Sequence, residues 1–527
     1  MTMVRASLRS LRTHVLAVSL SLLCLARTEA GETAQSPQVP NTSTASGDAS
    51  ANPPTEDSVS KRASVSIRGK TVSYTATAGS LVIRNDREEP VASVFYTAYT
   101  VDLAQPESRP VTFAFNGGPG SPSIYLHMGS IGPVRVALPD PQPAGSGPFR
   151  LLPNSDSILD RTDLVFIDAI GTGLSHAVGK AQNREFYGID QDIDSFARAI
   201  IRWVKVNRRW NGPKFLLGES YGGFRAAGLA TVLQQRGMPV NGVILASAAT
   251  DLILRNPDYD EFYVSFLPSL AAISWYHHRL TNRPADLKSF VGDVRAYALG
   301  PYRAALDKGN AISPAERAAV AQQVSLYTGL TVDYVLESNL RVDFRRYRKQ
   351  LLRAQGQTLG ALDARYLGTD ADSAGDMPEY DAASAAIDDA YSVVFNEYLF
   401  KTLGYKSDRT YLLENGQEVQ GGWDWNRKTP SEYYPWAVRS MSLDLAEAMR
   451  HNPTLKVIAL FGYYDLAAPF LEAELELSRL PLGPTLARNV SFAYYESGHM
   501  IYLDGASLHK MKDDLERFFE SALQPGG

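Results

Sequence analysis

The sequence has 527 residues and is almost without cysteine, Cys24 being the one it contains. Cys24 lies inside an N-terminal leader. The chain beyond it therefore has no disulfide, no thiolate nucleophile and no cysteine metal ligand. Net charge is also scarce. The 52 Lys and Arg nearly balance the 57 Asp and Glu, leaving −5 with no basic stripe to hold a nucleic acid. Long hydrophobic runs are missing too. The apolar stretch at residues 15–26 falls well short of the roughly 20 residues a spanning helix needs, so no stable membrane insertion is expected. It follows Arg5, Arg9 and Arg12 and precedes the small residues Thr28 and Ala30. That is the layout of a secretory leader, residues 1–30, cleaved before Gly31 or alternatively after Ala26. Leu23 is too large for the small residue that lipoprotein processing needs before Cys24. Secretion without disulfides suits a bacterial periplasm better than a eukaryotic secretory route.

What is present is the material of a globular protein, 44% hydrophobic and 21% charged, with 6 Trp, 27 Tyr and 20 Phe for a core and an aromatic pocket. Residues 31–62 are rich in Ser, Thr, Pro, Ala and Asn, which predicts a disordered linker. Residues 65–67, 71–74, 80–83 and 94–99 read as four short strands, an antiparallel edge to a larger sheet. From Val111 the pattern becomes apolar strands (111–115, 164–168, 214–218 and 243–246) alternating with helices, and it returns at 456–461 and 490–495. Ile193, Phe196, Ala197, Ile200, Ile201 and Val204 share one helical face, and residues 508–523 close the chain as an amphipathic helix. The expected α/β organisation is a mostly parallel central sheet with helices on both faces. Residues 63–251 form its first part, 252–445 an inserted helical cap, and 446–527 its second part.

Gly218-Glu219-Ser220-Tyr221-Gly222-Gly223 lies between a buried strand and a helix, the setting of the Gly-x-Ser-x-Gly elbow of the α/β-hydrolase fold. Such a turn lifts the serine hydroxyl clear of the sheet beside a helix N-terminus, whose dipole favours developing negative charge. A serine hydroxyl needs a base oriented by a carboxylate, and in this fold the chain order is Ser, Asp, His. Of eight histidines, His499 alone sits in a turn just after a late core strand. Asp465 ends the preceding core strand, one crossover earlier. Asp168 also ends a strand but precedes Ser220, and Asp504 reads as a helix cap. Asn116-Gly117-Gly118-Pro119-Gly120 follows an early strand. Its Gly118 amide, with that of Tyr221, is expected to form the oxyanion hole.

These motifs, with Phe166-Ile167-Asp168-Ala169-Ile170-Gly171-Thr172-Gly173-Leu174-Ser175 and Gly498-His499-Met500, resemble the serine carboxypeptidases over roughly residues 90–525. The resemblance implies hydrolysis of the C-terminal peptide bond through an acyl-enzyme on Ser220, without metal or organic cofactor. The implied partner is a peptide with a free C-terminus. It also implies carboxylate recognition by Asn116 and Glu219, the latter protonated at acidic pH, with Gly117 and Met500 in the same substrate site. The family's second recognition Glu falls on Ser130, its Trp falls on Ala114, and its disulfides are absent. An esterase or acyltransferase on the same fold is the alternative. A non-catalytic binding protein is a further one, which the intact Ser, His, Asp and glycine turn disfavour.

Overall fold

The computed structural model describes residues 54–103, 106–427 and 440–524. The expected leader and residues 31–53 of the expected linker lie outside the described residues. Strands β1 (Ser58–Ile67), β2 (Lys70–Arg84) and β3 (Pro90–Val101) form an antiparallel meander. This corrects two readings. Structure begins before Ala63, because polar residues from Ser58 to Arg62 pair with β2 as an exposed outer strand. Its composition is that of a linker, and Lys61 and Arg62 suit an edge that must not recruit another chain. The segments 71–74 and 80–83 are one strand, not two. The inward positions between them are Ala76 and Ala78, buried but too small to stand out as hydrophobic.

The remaining strands of the main sheet are β4 (Val111–Phe115), β5 (Asp163–Ile167), β6 (Lys214–Glu219), β7 (Gly242–Ala246), β8 (Lys456–Gly462) and β9 (Val490–Tyr495). The order is β1-β2-β3-β5-β4-β6-β7-β8-β9, with the two-residue strand His176–Ala177 also pairing to β3. From β5 onward every pairing is parallel. Every residue of β4 to β7 is buried, as expected of parallel strands covered on both faces. Alternate residues serve opposite sides. Phe113, Phe115, Leu216, Val243 and Leu245 enter one apolar cluster, while Ala114, Phe215, Leu217 and Ile244 enter the other.

Helices α1 (Ile189–Val206) and α2 (Tyr221–Gln235) cover the first face. Ile193, Phe196, Ala197, Ile200 and Val204 of α1 are buried, and Ile201 is half-buried. Between β7 and β8 lie α3 (Asp260–Tyr276), α4 (Leu287–Tyr297), α5 (Pro314–Thr328) and α6 (Ala382–Asn396). Asp286, Ser313 and Asp381 cap the last three by accepting from backbone amides. The insertion has no core apart from the sheet. Val264 and Leu267 of α3 share the cluster of Val243, and Ile387 and Ala390 of α6 share that of Ile244. It also holds a small hairpin, Thr358–Leu359 paired with Leu367–Gly368, which the helical reading of this stretch did not contain. After β8 come α7 (Phe470–Ser478) and, after β9, α8 (Gly505–Leu523), capped by Asp504 through the Ser507 amide at 2.7 Å. No helix among the described residues is long and apolar enough to cross a membrane.

Candidate active site

Parallel strands end at one edge of a sheet, and loops there collect functional groups. Asn116, Ser220, Asp465 and His499 follow the C-terminal ends of β4, β6, β8 and β9 respectively. Ser220 is the single residue between β6 and α2, with φ 59° and ψ −130°. A non-glycine residue held there costs about 1–3 kcal/mol, which the surrounding structure must supply. Two backbone bonds hold the turn. Ser220 N donates to Ala246 O at 3.0 Å, and Gly223 N donates to Ser220 O at 2.9 Å. The serine is partly exposed.

Asp465 is fully buried. Its Oδ1 accepts from the Ala467 and Ala468 amides at 2.7 and 2.8 Å, which leaves Oδ2 for His499 Nδ1 at 2.8 Å. That bond fixes the imidazole so that Nε2 is the nitrogen left for chemistry. Burial pulls the His499 pKa down, but the Asp465 charge and hydrogen bond, with Glu219 adding to them, outweigh it, and the net shift is upward. The hydroxyl of Ser220 and the imidazole share the same sheet edge, with no hydrogen bond between them among the described residues. Asp168 is elsewhere engaged. Its Oδ1 accepts from Ser123 N at 2.8 Å, and Tyr411 stands beside it.

The glycine turn after β4 packs directly on the elbow. A Cβ on Gly117 would lie 2.5 Å from Tyr221 N, so only glycine permits the two backbones this approach. Tyr221 N belongs to the first residue of α2 and has no acceptor within that helix. Gly118, at φ 101°, turns the chain beside it. Asn116 Nδ2 donates to Glu219 Oε1 at 2.6 Å, while its Oδ1 accepts from Leu126 N at 3.0 Å. Burial pushes Glu219 up to about 7, against the opposing pull of His499 and its hydrogen-bonding neighbours. Met500 is buried in the apolar cluster of the second face.

Ser130 and Ala114 are both fully buried. Ser130 Oγ donates back to Leu126 O at 2.8 Å, and a small enclosed cavity lined by Ser130, Glu219, His499 and Tyr502 lies beside it. Two groups here carried no sequence signal. The hydroxyls of Tyr391 and Tyr502 are buried near Glu219, whose charge raises the pKa of both beyond the effect of burial. With 27 tyrosines in the chain, nothing singled these out. Arg225 did have a signal, as a lone cation on a helix buried nearly all round. Its guanidinium pairs with Asp192 at 2.6 and 3.2 Å, lies over the Phe196 ring and donates to Asn116 O at 2.8 Å. It thus ties α2 to the glycine turn. No group of three or more His, Cys, Asp or Glu among the described residues is placed to hold a metal ion.

The sequence profile of the serine carboxypeptidase family matches residues 69–274, which include the glycine turn and the elbow. Over that segment the chain is similar to the serine carboxypeptidase family. Serine carboxypeptidase-like 26 of Oryza sativa subsp. japonica is 29% identical over 196 residues, covering 35% of this chain and 37% of that protein. The pheromone-processing carboxypeptidase KEX1 of Yarrowia lipolytica is 28% identical over 146 residues, covering 27% of this chain and 22% of its own. The chain thus spans little more than a third, or less, of the curated relatives it matches. Among solved structures, a prohormone-processing carboxypeptidase from Saccharomyces cerevisiae superposes with a TM-score of 0.53 at 14% identity. The superposition covers 85% of this chain and 91% of that one. The fold is the α/β-hydrolase fold.

Proposed function

We propose that the protein is a serine-type carboxypeptidase that removes the last residue from peptides with a free C-terminus. The observation that carries this reading is Glu219. It is a buried acid immediately before the nucleophile, bonded to Asn116 and titrating at about 7. Below that pH its proton can be donated to a substrate carboxylate. Above it two anions would face each other, so peptide binding weakens as pH rises through about 7. Met500 and the Gly117 backbone complete the proposed substrate site.

In the proposed reaction Ser220 Oγ attacks the last peptide carbonyl while His499 Nε2 takes its proton. Asp465 holds the imidazole and stabilises the imidazolium that forms. The Gly118 and Tyr221 amides receive the oxyanion, a role worth about 10²–10³ in rate per donor. His499 then protonates the leaving amino acid, and water activated by the same base cleaves the acyl-enzyme. A fluorophosphonate probe, with paired free-acid and amidated peptides, tests the reading. Labelling lost in Ser220→Ala and release from the free acid alone support it, and equal cleavage of both peptides refutes it.

Ser130 and Ala114, standing where the family's Glu and Trp would be, favour an esterase as the second reading. Turnover of acyl esters with no peptide cleavage between about pH 4 and 8 would select it. We also infer a secreted, periplasmic enzyme from residues 1–30. Fractionation of a bacterial host expressing the full chain would recover activity with periplasmic markers, and recovery with cytosolic markers would refute that inference.

A further inference from the structure

The turns bearing Asp465 and His499 are held by more than their own strands. The tip of the hairpin inside the insertion, residues 360–366, lies against both. Ala361 O accepts from Leu466 N at 2.9 Å and Ala364 N donates to Tyr464 O at 3.1 Å, bracketing Asp465 on either side. Leu362 O accepts from His499 N at 2.6 Å, and Asp363 Oδ2 accepts from Gly498 N at 3.2 Å. Asp363 is fully buried and gripped by Arg365, whose Nε lies 3.0 Å from each of its oxygens and whose Nη2 lies 2.6 Å from Oδ2. Arg365 Nη2 donates to Ser497 Oγ at 3.1 Å, and Asp140 closes the far side of the guanidinium at 2.9 and 3.0 Å. Asp140 also accepts from the Tyr366 hydroxyl at 3.0 Å.

Gly498 bears this out independently. A Cβ there would overlap the Cα, Cβ and Cγ of Asp363. The glycine before the catalytic histidine is therefore required by the hairpin that packs on it.

We propose that this hairpin tip sets the alignment of the catalytic acid and base turns, with Asp363 and Arg365 as positioning residues. The proposal rests on reading Asp465 and His499 as the working pair. The tip supplies main-chain partners to both turns at once, so their spacing follows its conformation. Asp363 and Arg365 fix that conformation through a buried ion pair, which Asp140 shares. A pair so enclosed is strongly sensitive to loss of either charge. Displacing a base by about 1 Å from outside the reacting groups can cost on the order of 10² in rate.

The test uses the full-length enzyme with Asp363→Asn, Asp140→Asn and Ser497→Ala, assayed well below each variant's unfolding temperature. Asp363→Asn should lower kcat about 10²-fold with KM within about twofold, because the substrate site is untouched. The far-downfield NMR resonance of the His499 Nδ1 proton should shift or broaden with it. Ser497→Ala, which removes one tie, should show the same pattern at about threefold. If Asp363→Asn does not fold, Asp140→Asn carries the test, with an expected loss of about tenfold in kcat at constant KM. A Phe266→Ala control should lower stability without moving kcat or the resonance. Unchanged kcat and resonance in the folded Asp363→Asn, or in Asp140→Asn when that variant carries the test, overturns the proposal. His499→Ala separates the two ideas. If it keeps fluorophosphonate labelling, the working-pair reading falls and the positioning role with it. If labelling is lost while Asp363→Asn behaves as wild type, only the positioning role falls.

Discussion

Ser220, Asp465 and His499 hang from the ends of parallel strands, whereas the residues that brace two of them come from the middle of a helical insertion. The strand-end residues are placed by short-range rules. Ser220 follows a strand of six buried residues and is forced upward by the turn that starts α2. The bracing residues are placed by long-range ones. Gly498 and Asp363 meet across 135 residues of sequence, and Arg365 and Ser497 across 132. The two regions also place their buried ion pairs differently. At the sheet edge a buried pair, Arg225–Asp192, joins α2 to α1, and at the hairpin tip the Asp363–Arg365 pair lies within one short turn. Ser220, Asp465 and His499 thus come from the sheet, and the main-chain partners of the Asp465 and His499 turns from the insertion.

Mutation can widen or collapse that separation. Ser220→Ala should have the largest effect, lowering kcat about 10⁶-fold and abolishing fluorophosphonate labelling, with thermal unfolding little changed. Asp465→Asn should cost about 10⁴ in kcat, because an amide would favour the wrong imidazole tautomer. A loss under about tenfold would show that the sheet edge does not depend on this carboxylate. On the insertion side, Phe266 stacks on Phe344 with ring centroids 4.4 Å apart. Phe266→Ala should destabilise the protein by about 3–5 kcal/mol, seen as a lower denaturation midpoint, while kcat of the folded enzyme is retained. The smallest effect is one of pH. Wild-type KM for a free-acid peptide should rise about tenfold per unit above about pH 7, as Glu219 loses the proton that burial holds on it. Glu219→Gln cannot ionise and should flatten that limb, whereas an unaltered profile would assign it to another group.

Much of the sheet was readable because parallel strands buried on both faces leave continuous apolar runs, as at 111–115, 214–219 and 242–246. Chain order prefers Asp465 over Asp168, and in the structure hydrogen bonding joins the former and not the latter to His499. The outer strand from Ser58 was missed because an exposed edge strand needs no hydrophobic residues. The middle of β2 was missed because its inward positions are alanines. Tyr391 and Tyr502 reach Glu219 only through packing, so no local pattern could announce them.

The sequence by itself determined the alternation of strands and helices, the elbow around Ser220 and the order of the residues that follow it. Those depend on hydrophobic period and turn chemistry, which act over a few residues. Tertiary structure alone decided that Arg225 would tie α2 to Asn116 and that residues 360–366 would wedge between the Asp465 and His499 turns. These are contacts between distant segments, and their partners are specified by the shape of the whole core, which no short stretch of sequence contains.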